Sequence, residues 1–499
     1  MFRRFVPAVA AVVLIGAATG QTVLLSVPMT STDYPKVVGD LNGDGIRDLA
    51  ITTSTTLRLR ALPSFALLAT YPGAWLSASD CGDMDGDGRD DVVIQRGTTL
   101  EVVSSAAWTV LLTIPLAINF SGYWDLLGDV TGDGRTDFTV ADDQATVGGI
   151  AFAGRMDVVD GVTGAVVRSD LGSVTGDHLG RHRVLGDMDG DGVRDYLLIS
   201  AAGSWFRSGQ TGQTLFTMPT YMPWDYWDVG DLDGDGRDDF AERAPSGGHG
   251  AQGVAGRVAS GLNGATMLSF YFSFVTWTGY SSVGSCGDLD GDGYGDLTMF
   301  GGDHNLVRSG RTQATLLRYD HAAGSLGGSA GDFDGDGFQD VWVSRPSALQ
   351  IHSGRPPGVT PSGSGCPDAT GVVPRLGISI GPRLGKQMRV NLSAASANCA
   401  AAVLALGFSD QQWSGMPLPA DLGFLGLPGC VWRVAGDTLP LVATSGPAGD
   451  SRNASYPLDV PSNPGLLGLV LFAQWIVFDT SPGALTGSVT KAVRLQVVP

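Results

Sequence analysis

Short apolar runs alternate with clusters of Asp and Gly along most of this chain, and the alternation is periodic. Directly after an acidic cluster come Leu49-Ala50-Ile51, Val92-Val93-Ile94, Phe138-Thr139-Val140, Leu297-Thr298-Met299 and Val341-Trp342-Val343. Runs this short, rich in β-branched and aromatic residues and bounded by turn formers, predict strands. Later in each unit a second turn separates two more apolar stretches: Asp160-Gly161-Val162-Thr163-Gly164, Ser208-Gly209-Gln210-Thr211-Gly212, Ser260-Gly261-Leu262-Asn263-Gly264 and Ser309-Gly310-Arg311-Thr312. Each unit therefore reads strand, acidic loop, strand, connection, strand, Ser-Gly turn, strand.

The acidic cluster is one pattern, Gly-Asp-x-Asp-Gly-Asp-Gly-x-x-Asp, repeated seven times with spacings of 43, 46, 58, 44, 57 and 44 residues. That is the length of a four-stranded propeller blade. The two long spacings reflect insertions within blades, over 141–153 and 244–255. The last unit, ending at Leu349-Gln350-Ile351-His352, is one strand short, and the orphan strand Thr22-Val23-Leu24-Leu25-Ser26 precedes the first loop. Pairing the two would close the ring and remove its exposed edges. The expected fold is all-β: a seven-bladed β-propeller over 21–355, a Pro-, Gly- and Ser-rich linker over 356–370, and a β-sandwich-like module over 371–499. Strand candidates in that module are 387–392, 401–406, 467–478 and 491–498.

Composition changes the picture in three places. The 499 residues include 73 Gly and carry a net charge of −19, and the acidic residues are Asp throughout except Glu101 and Glu242. Such an excess of the short carboxylate suggests fixed geometry rather than a solvated face, and the acidic balance disfavours nucleic acid. Residues 1–20 read as an export signal: Arg3-Arg4, the apolar stretch Phe5 to Gly16, and Ala18-Thr19-Gly20 before cleavage. No later apolar run reaches the roughly 20 residues of a spanning helix, so no transmembrane segment is expected after cleavage. The expected location is secreted or at the cell surface. Of five cysteines, Cys366, Cys399 and Cys430 fall in the last third, where one bridge and one free thiol are expected.

Numbered from its first Asp, each loop offers oxygen ligands to a hard cation at positions 1, 3, 5 and 9, with a backbone carbonyl at 7. Position 1 is Asp40, Asp83, Asp129, Asp187, Asp231, Asp288 and Asp332. Position 3 is Asn42, Asp85, Thr131, Asp189, Asp233, Asp290 and Asp334. Position 5 is Asp44, Asp87, Asp133, Asp191, Asp235, Asp292 and Asp336. Position 7 is Ile46, Arg89, Arg135, Val193, Arg237, Tyr294 and Phe338, and position 9 is Asp48, Asp91, Asp137, Asp195, Asp239, Asp296 and Asp340. Six to eight oxygens in a flexible shell favour Ca2+ over Mg2+, so about seven Ca2+ are expected, one per blade. The third loop, with neutral Thr131, is expected to be the weakest. The twelfth position is apolar in every loop but the fifth, which excludes EF-hands.

Repeats such as Val229-Gly230-Asp231-Leu232-Asp233-Gly234-Asp235-Gly236-Arg237-Asp238-Asp239-Phe240 resemble FG-GAP/VCBS repeats, as in the integrin α-subunit propeller, and Ala244-Pro245 resembles the Gly-Ala-Pro element. The resemblance covers roughly 30–355, with the Phe-Gly element poorly kept. It implies calcium ligands at positions 1, 3, 5, 7 and 9 and an acidic loop between the first and second strands of each blade. It also implies a non-enzymatic binding or adhesion protein for an extracellular protein or glycan. Because the family includes polysaccharide lyases, a calcium-dependent polysaccharide-active enzyme is the alternative.

Tyr71, Trp75, Tyr123, Trp124, Tyr221, Trp224, Tyr226, Trp227, Tyr271, Trp277 and Tyr280 are expected either to face a ligand at the opposite mouth or to pack between blades. Catalytic signals are poor. The serine motif Gly327 to Gly331 precedes a calcium loop rather than the strand–turn–helix that chemistry needs, and Gly248 to Gly253 has no helix behind it. His178 and His182 would share a face as a metal pair or serve structurally. The 371–499 module holds no His and no Glu, which makes an acid–base active site there improbable.

Overall fold

A computed structural model describes residues 22–30, 33–73, 76–116, 123–218, 226–243, 253–273, 282–300, 304–320, 327–345, 347–423, 426–445, 452–479 and 486–499. The proposed export signal therefore lies outside the described residues, as do Trp75, Tyr221, Trp224, Trp277, Tyr280 and 244–252. Among the described residues, no helix is long and apolar enough to cross a membrane.

Seven four-stranded antiparallel sheets follow one another along the chain. The second strand of each blade carries the apolar run after the acidic loop. It is buried on both faces, which is why its residues do not alternate with polar ones. In the first blade, Leu49 and Ile51 enter a core shared with the seventh blade, while Ala50 enters one shared with the second. Every consecutive pair of blades shares one such core. Val92 and Ile94 face the first blade and Val93 the third; Leu198 packs toward the third and Leu197 toward the fifth. Further cores join the fifth to the sixth and the sixth to the seventh. The core between the seventh and first blades holds Leu25 and Val27 of the N-terminal strand Val23–Pro28, which pairs antiparallel with Ala348–His352 and completes the seventh sheet. The interfaces run round a full circle.

The Ser-Gly turn has a steric reason. At Gly209 an added Cβ would overlap the carbonyl oxygen of Arg194, in the acidic loop of the same blade, and Gly261 stands in the same relation to Asp238. Gly209→Ala is expected to lower stability by about 3 kcal/mol, measured by urea unfolding; a cost near zero would mean the turn tolerates a side chain and does not set the loop's position.

The insertion after the third loop folds back as a short turn bridged between Val147 and Ile150, and His178 N donates to Phe152 O at 3.0 Å. The C-terminal module consists of two main sheets. One contains Val359–Ser362, Ala492–Gln496, Val470–Asp479, Ala401–Gly407 and Leu441–Ala443; the other contains Arg375–Ile378, Gln387–Ala395 and Arg452–Asp459. Between them Leu376, Met388, Val390, Leu404, Trp475 and Leu495 form the core.

The stretch expected as linker, 356–370, differs from that reading. Val359–Ser362 pairs with Ala492–Gln496 as the sheet's edge strand, and Cys366 is disulfide-bonded to Cys430. Pro361 disguised the strand, because an edge position tolerates a residue without an N–H. Cys81, Cys286 and Cys399 are free and buried.

Candidate metal centres

All seven loops connect the first and second strands of their blades, and one hydrogen-bond scheme recurs. The position-1 carboxylate turns inward and receives the loop's own amides: Asp40 accepts from Gly43 N at 2.7 Å and Gly45 N at 2.6 Å, and Asp187 from Gly190 N and Gly192 N at 2.7 Å each. Position 5 caps position 7, as in Asp87 Oδ1 with Arg89 N at 2.9 Å. The alternating glycines have positive φ, 78° at Gly190 and 91° at Gly192, which lets consecutive amides point at one carboxylate.

Position 9 has a further duty. Asp48, Asp91, Asp137, Asp195, Asp239, Asp296 and Asp340 are all 0% exposed. One oxygen accepts from the loop's second residue, as Asp195 Oδ2 does from Met188 N at 2.7 Å. The other accepts from the turn between the third and fourth strands, as Asp195 Oδ1 does from Gly209 N at 2.8 Å. The same pair of bonds recurs at Asp239 with Leu232 N and Gly261 N, and at Asp340 with Phe333 N and Gly354 N. Sequence reasoning had assigned position 9 to the cation alone. Here each carboxylate also ties the acidic loop to the residues that follow the third strand of its own blade, Leu62 and Ser105 in the first two and a glycine in the other five.

Carboxylate oxygens converge as a hard-cation site requires. In loops 2, 4, 5 and 6, positions 1, 3 and 9 gather: Asp83, Asp85 and Asp91; Asp187, Asp189 and Asp195; Asp231, Asp233 and Asp239; Asp288, Asp290 and Asp296. In the seventh the trio is Asp332, Asp334 and Asp336; within each trio the ligand atoms lie within 4.8 Å of one another. Loops 1 and 3, with Asn42 and Thr131 at position 3, show no such carboxylate trio among the described residues. Asp290 Oδ2 is buried without a hydrogen-bond donor, an orphaned acceptor that a cation would satisfy. The donor set is all oxygen, which suits calcium.

Burial, reinforced by neighbouring carboxylates, pushes Asp48 up to about 6 and Asp195, Asp239 and Asp340 up to about 7, against the bonds from backbone amides. A carboxyl raised in the folded state holds a proton that the unfolded chain releases. Its contribution to stability is present below the ordinary Asp range and lost as pH rises through 6 to 7. In chelator, the melting temperature is therefore expected to fall from about pH 5 to about pH 8. A metal-free melting temperature that rose over this range would contradict the crowding of these carboxylates.

Neighbouring loops are joined. Asp90 Oδ2 accepts from Asp40 N at 2.8 Å while Asp90 N donates to Asp40 O at 3.0 Å, and Asp238 repeats both bonds with Asp187 at 2.9 and 2.7 Å. Position-7 arginines reach the preceding loop, Arg135 to the Asp83 carbonyl and Arg237 to Met188 O at 2.9 Å. Sequence reasoning missed these contacts between neighbouring loops; Arg at position 7 of three loops and Asp at position 8 of two (Asp90, Asp238) were the signals.

The remaining candidates resolve as packing where they are described. Tyr226 is fully buried between the fourth and fifth blades, Trp124 packs between the second and third with Nε1 donating to Gln95 Oε1 at 2.9 Å, and Tyr71, Tyr123 and Trp227 also lie against interblade cores. His182 is buried, with Nδ1 2.9 Å from Gly180 O and Nε2 2.8 Å from Thr139 Oγ1, while His178 Nδ1 is 3.0 Å from Asp143 O. Both serve structurally. Ser329 lies on the first strand of the seventh blade, its Oγ accepting from Gly331 N at 3.2 Å.

No protein-family model and no curated protein sequence matches the chain. Among solved structures it is similar to BBS1N in complex with ARL6DN, soaked with lead. That likeness covers 68% of this chain and 98% of the other, at 10% identity and a TM-score of 0.46. It is also similar to the Neurospora crassa Pan2 WD40 domain, over 68% of this chain and 97% of that one, at 10% identity and a TM-score of 0.42. At 10% identity neither likeness bears on function.

Proposed function

We propose that this chain is an exported, calcium-stabilised propeller of the FG-GAP/VCBS type that binds an extracellular protein or glycan without transforming it. The observation that carries the metal half is the gathering of positions 1, 3 and 9 in four loops and of positions 1, 3 and 5 in a fifth, each around a point where an oxygen-seeking cation fits. A bound ion there would neutralise buried carboxylates and fix the loops; it would supply no reacting centre. Export is supported by Arg3-Arg4 and the apolar stretch behind them.

The binding half rests on surface. The outer strands of the second and third blades expose Val110, Leu111, Val166, Val167 and Leu171, an apolar edge that suits a protein partner. A cleft of about 680 Å³ lies between the sixth and seventh loops and the C-terminal module, and no His or Tyr lines it among the described residues. Binding to panels of extracellular proteins and glycans, with calcium and with chelator, tests this reading, with acidic polysaccharides incubated alongside. Saturable, calcium-dependent binding with the polysaccharides intact is expected. New reducing or unsaturated ends would favour the lyase alternative instead.

A further inference from the structure

The C-terminal module is seated on two of the seven loops, and it covers the sixth most completely. Position 5 is exposed in the first five loops, at Asp44, Asp87, Asp133, Asp191 and Asp235, whereas Asp290 and Asp292 are each 2% exposed. Gly377 packs so closely on Gly291 that a Cβ on either would overlap the other's backbone. Asn391, 0% exposed in the middle of a module strand, donates from Nδ2 to Asp290 O at 2.9 Å and accepts from Ser455 Oγ at 2.7 Å. Next door, Lys491 donates to the Asp336 carbonyl and lies 4.4 Å over the Phe338 ring. Phe338 is 3% exposed and belongs to the module's own core cluster.

Asp290 thus looks both ways. Its carbonyl holds the module, while its carboxylate, orphaned at Oδ2, points into the cluster with Asp288 and Asp296. Closing a protein lid over unpaired carboxylates is unfavourable unless they take up protons or a cation joins them, so an ion held among Asp288, Asp290 and Asp296 favours the docked module.

We propose that the sixth loop holds its cation as an interdomain clamp: the ion bound by Asp288, Asp290, Asp292 and Asp296 fastens the C-terminal module to the propeller. Loading of this loop and docking of the module are then one linked equilibrium, each strengthening the other by the same factor. This rests on the reading of the loops as calcium sites, and it adds a role that the five uncovered loops lack.

The test uses the full chain and compares Asp290→Ala with Asp189→Ala, the same position in the uncovered fourth loop. Bound calcium is counted by equilibrium dialysis, and docking is followed by amide hydrogen exchange over 375–395. Both variants are expected to lose one ion, while only Asp290→Ala loses protection over 375–395. Asn391→Ala, which leaves every ligand in place, is expected to weaken one calcium site about tenfold, within the usual range of coupling between sites, and to spare the rest. If neither Asp variant loses an ion, the calcium reading itself fails and the clamp with it. If Asp290→Ala loses its ion while protection is unchanged, or Asn391→Ala leaves all affinities unchanged, the clamp is overturned and the calcium sites stand.

Discussion

Saturating calcium is expected to raise the melting temperature of the chelator-stripped protein by about 15 °C. The size follows from counting. At ten times its dissociation constant one ion contributes about 1.4 kcal/mol to the folded state, and seven independent sites about 10 kcal/mol. Unfolding entropy near 2 cal/mol/K per residue, over a propeller of about 330 residues, makes one degree worth about 0.7 kcal/mol. The expected cause is crowding: in four loops carboxylates at positions 1, 3 and 9 lie within 4.8 Å of one another, in the seventh those at positions 1, 3 and 5 do, and position 9 is 0% exposed in every loop. Magnesium at the same concentration is expected to do less, since it yields its water shell reluctantly to a flexible oxygen cage. Differential scanning fluorimetry across a calcium titration measures the shift; a change under about 2 °C would mean the loops are acidic turns.

The second large effect belongs to position 9. Asp195→Ala removes the acceptor of Met188 N, Asp189 N and Gly209 N, at 2.7, 3.1 and 2.8 Å, from a site with no water access. Each orphaned buried donor costs about 1–3 kcal/mol, so a loss of about 4 kcal/mol is expected. The loss persists in chelator, because these bonds join loop to turn whether or not an ion is present. Asp191→Ala, at exposed position 5, is expected to cost under about 1 kcal/mol in chelator and to differ from the parent mainly in calcium. Urea unfolding of both variants, with and without calcium, separates the two roles. If Asp195→Ala were harmless in chelator, position 9 would be a ligand and nothing more.

Most of the fold was legible because the repeat carries its own punctuation. An acidic loop recurs in every blade, a Ser-Gly or Asp-Gly pair follows the third strand of the last five, and the unalternating run Val92-Val93-Ile94 fits a strand buried on both faces. Ring closure was legible because Val23–Pro28 had no partner nearby in sequence. What stayed hidden depends on which residues meet across the fold. Nothing local distinguishes the ligand role of Asp195 from its bond to Gly209, fourteen residues on. Val359–Ser362 was masked by the prolines and glycines around it. Phe338 and Tyr294 replace the arginines of other loops at position 7, yet so do Ile46 and Val193, which pack against interblade cores. An apolar residue there could not by itself announce a docked module.

The number of ions held decides between metal sites and acidic turns. Equilibrium dialysis of the full-length chain against calcium, with the protein quantified by amino-acid analysis, should return about seven ions per chain, one per loop. The loop with Thr131 should release its ion first and the covered sixth loop last. None, or one or two, would contradict it: the seven acidic loops would then be turns held by their own amides, and the ring would owe its stability to the interblade cores alone.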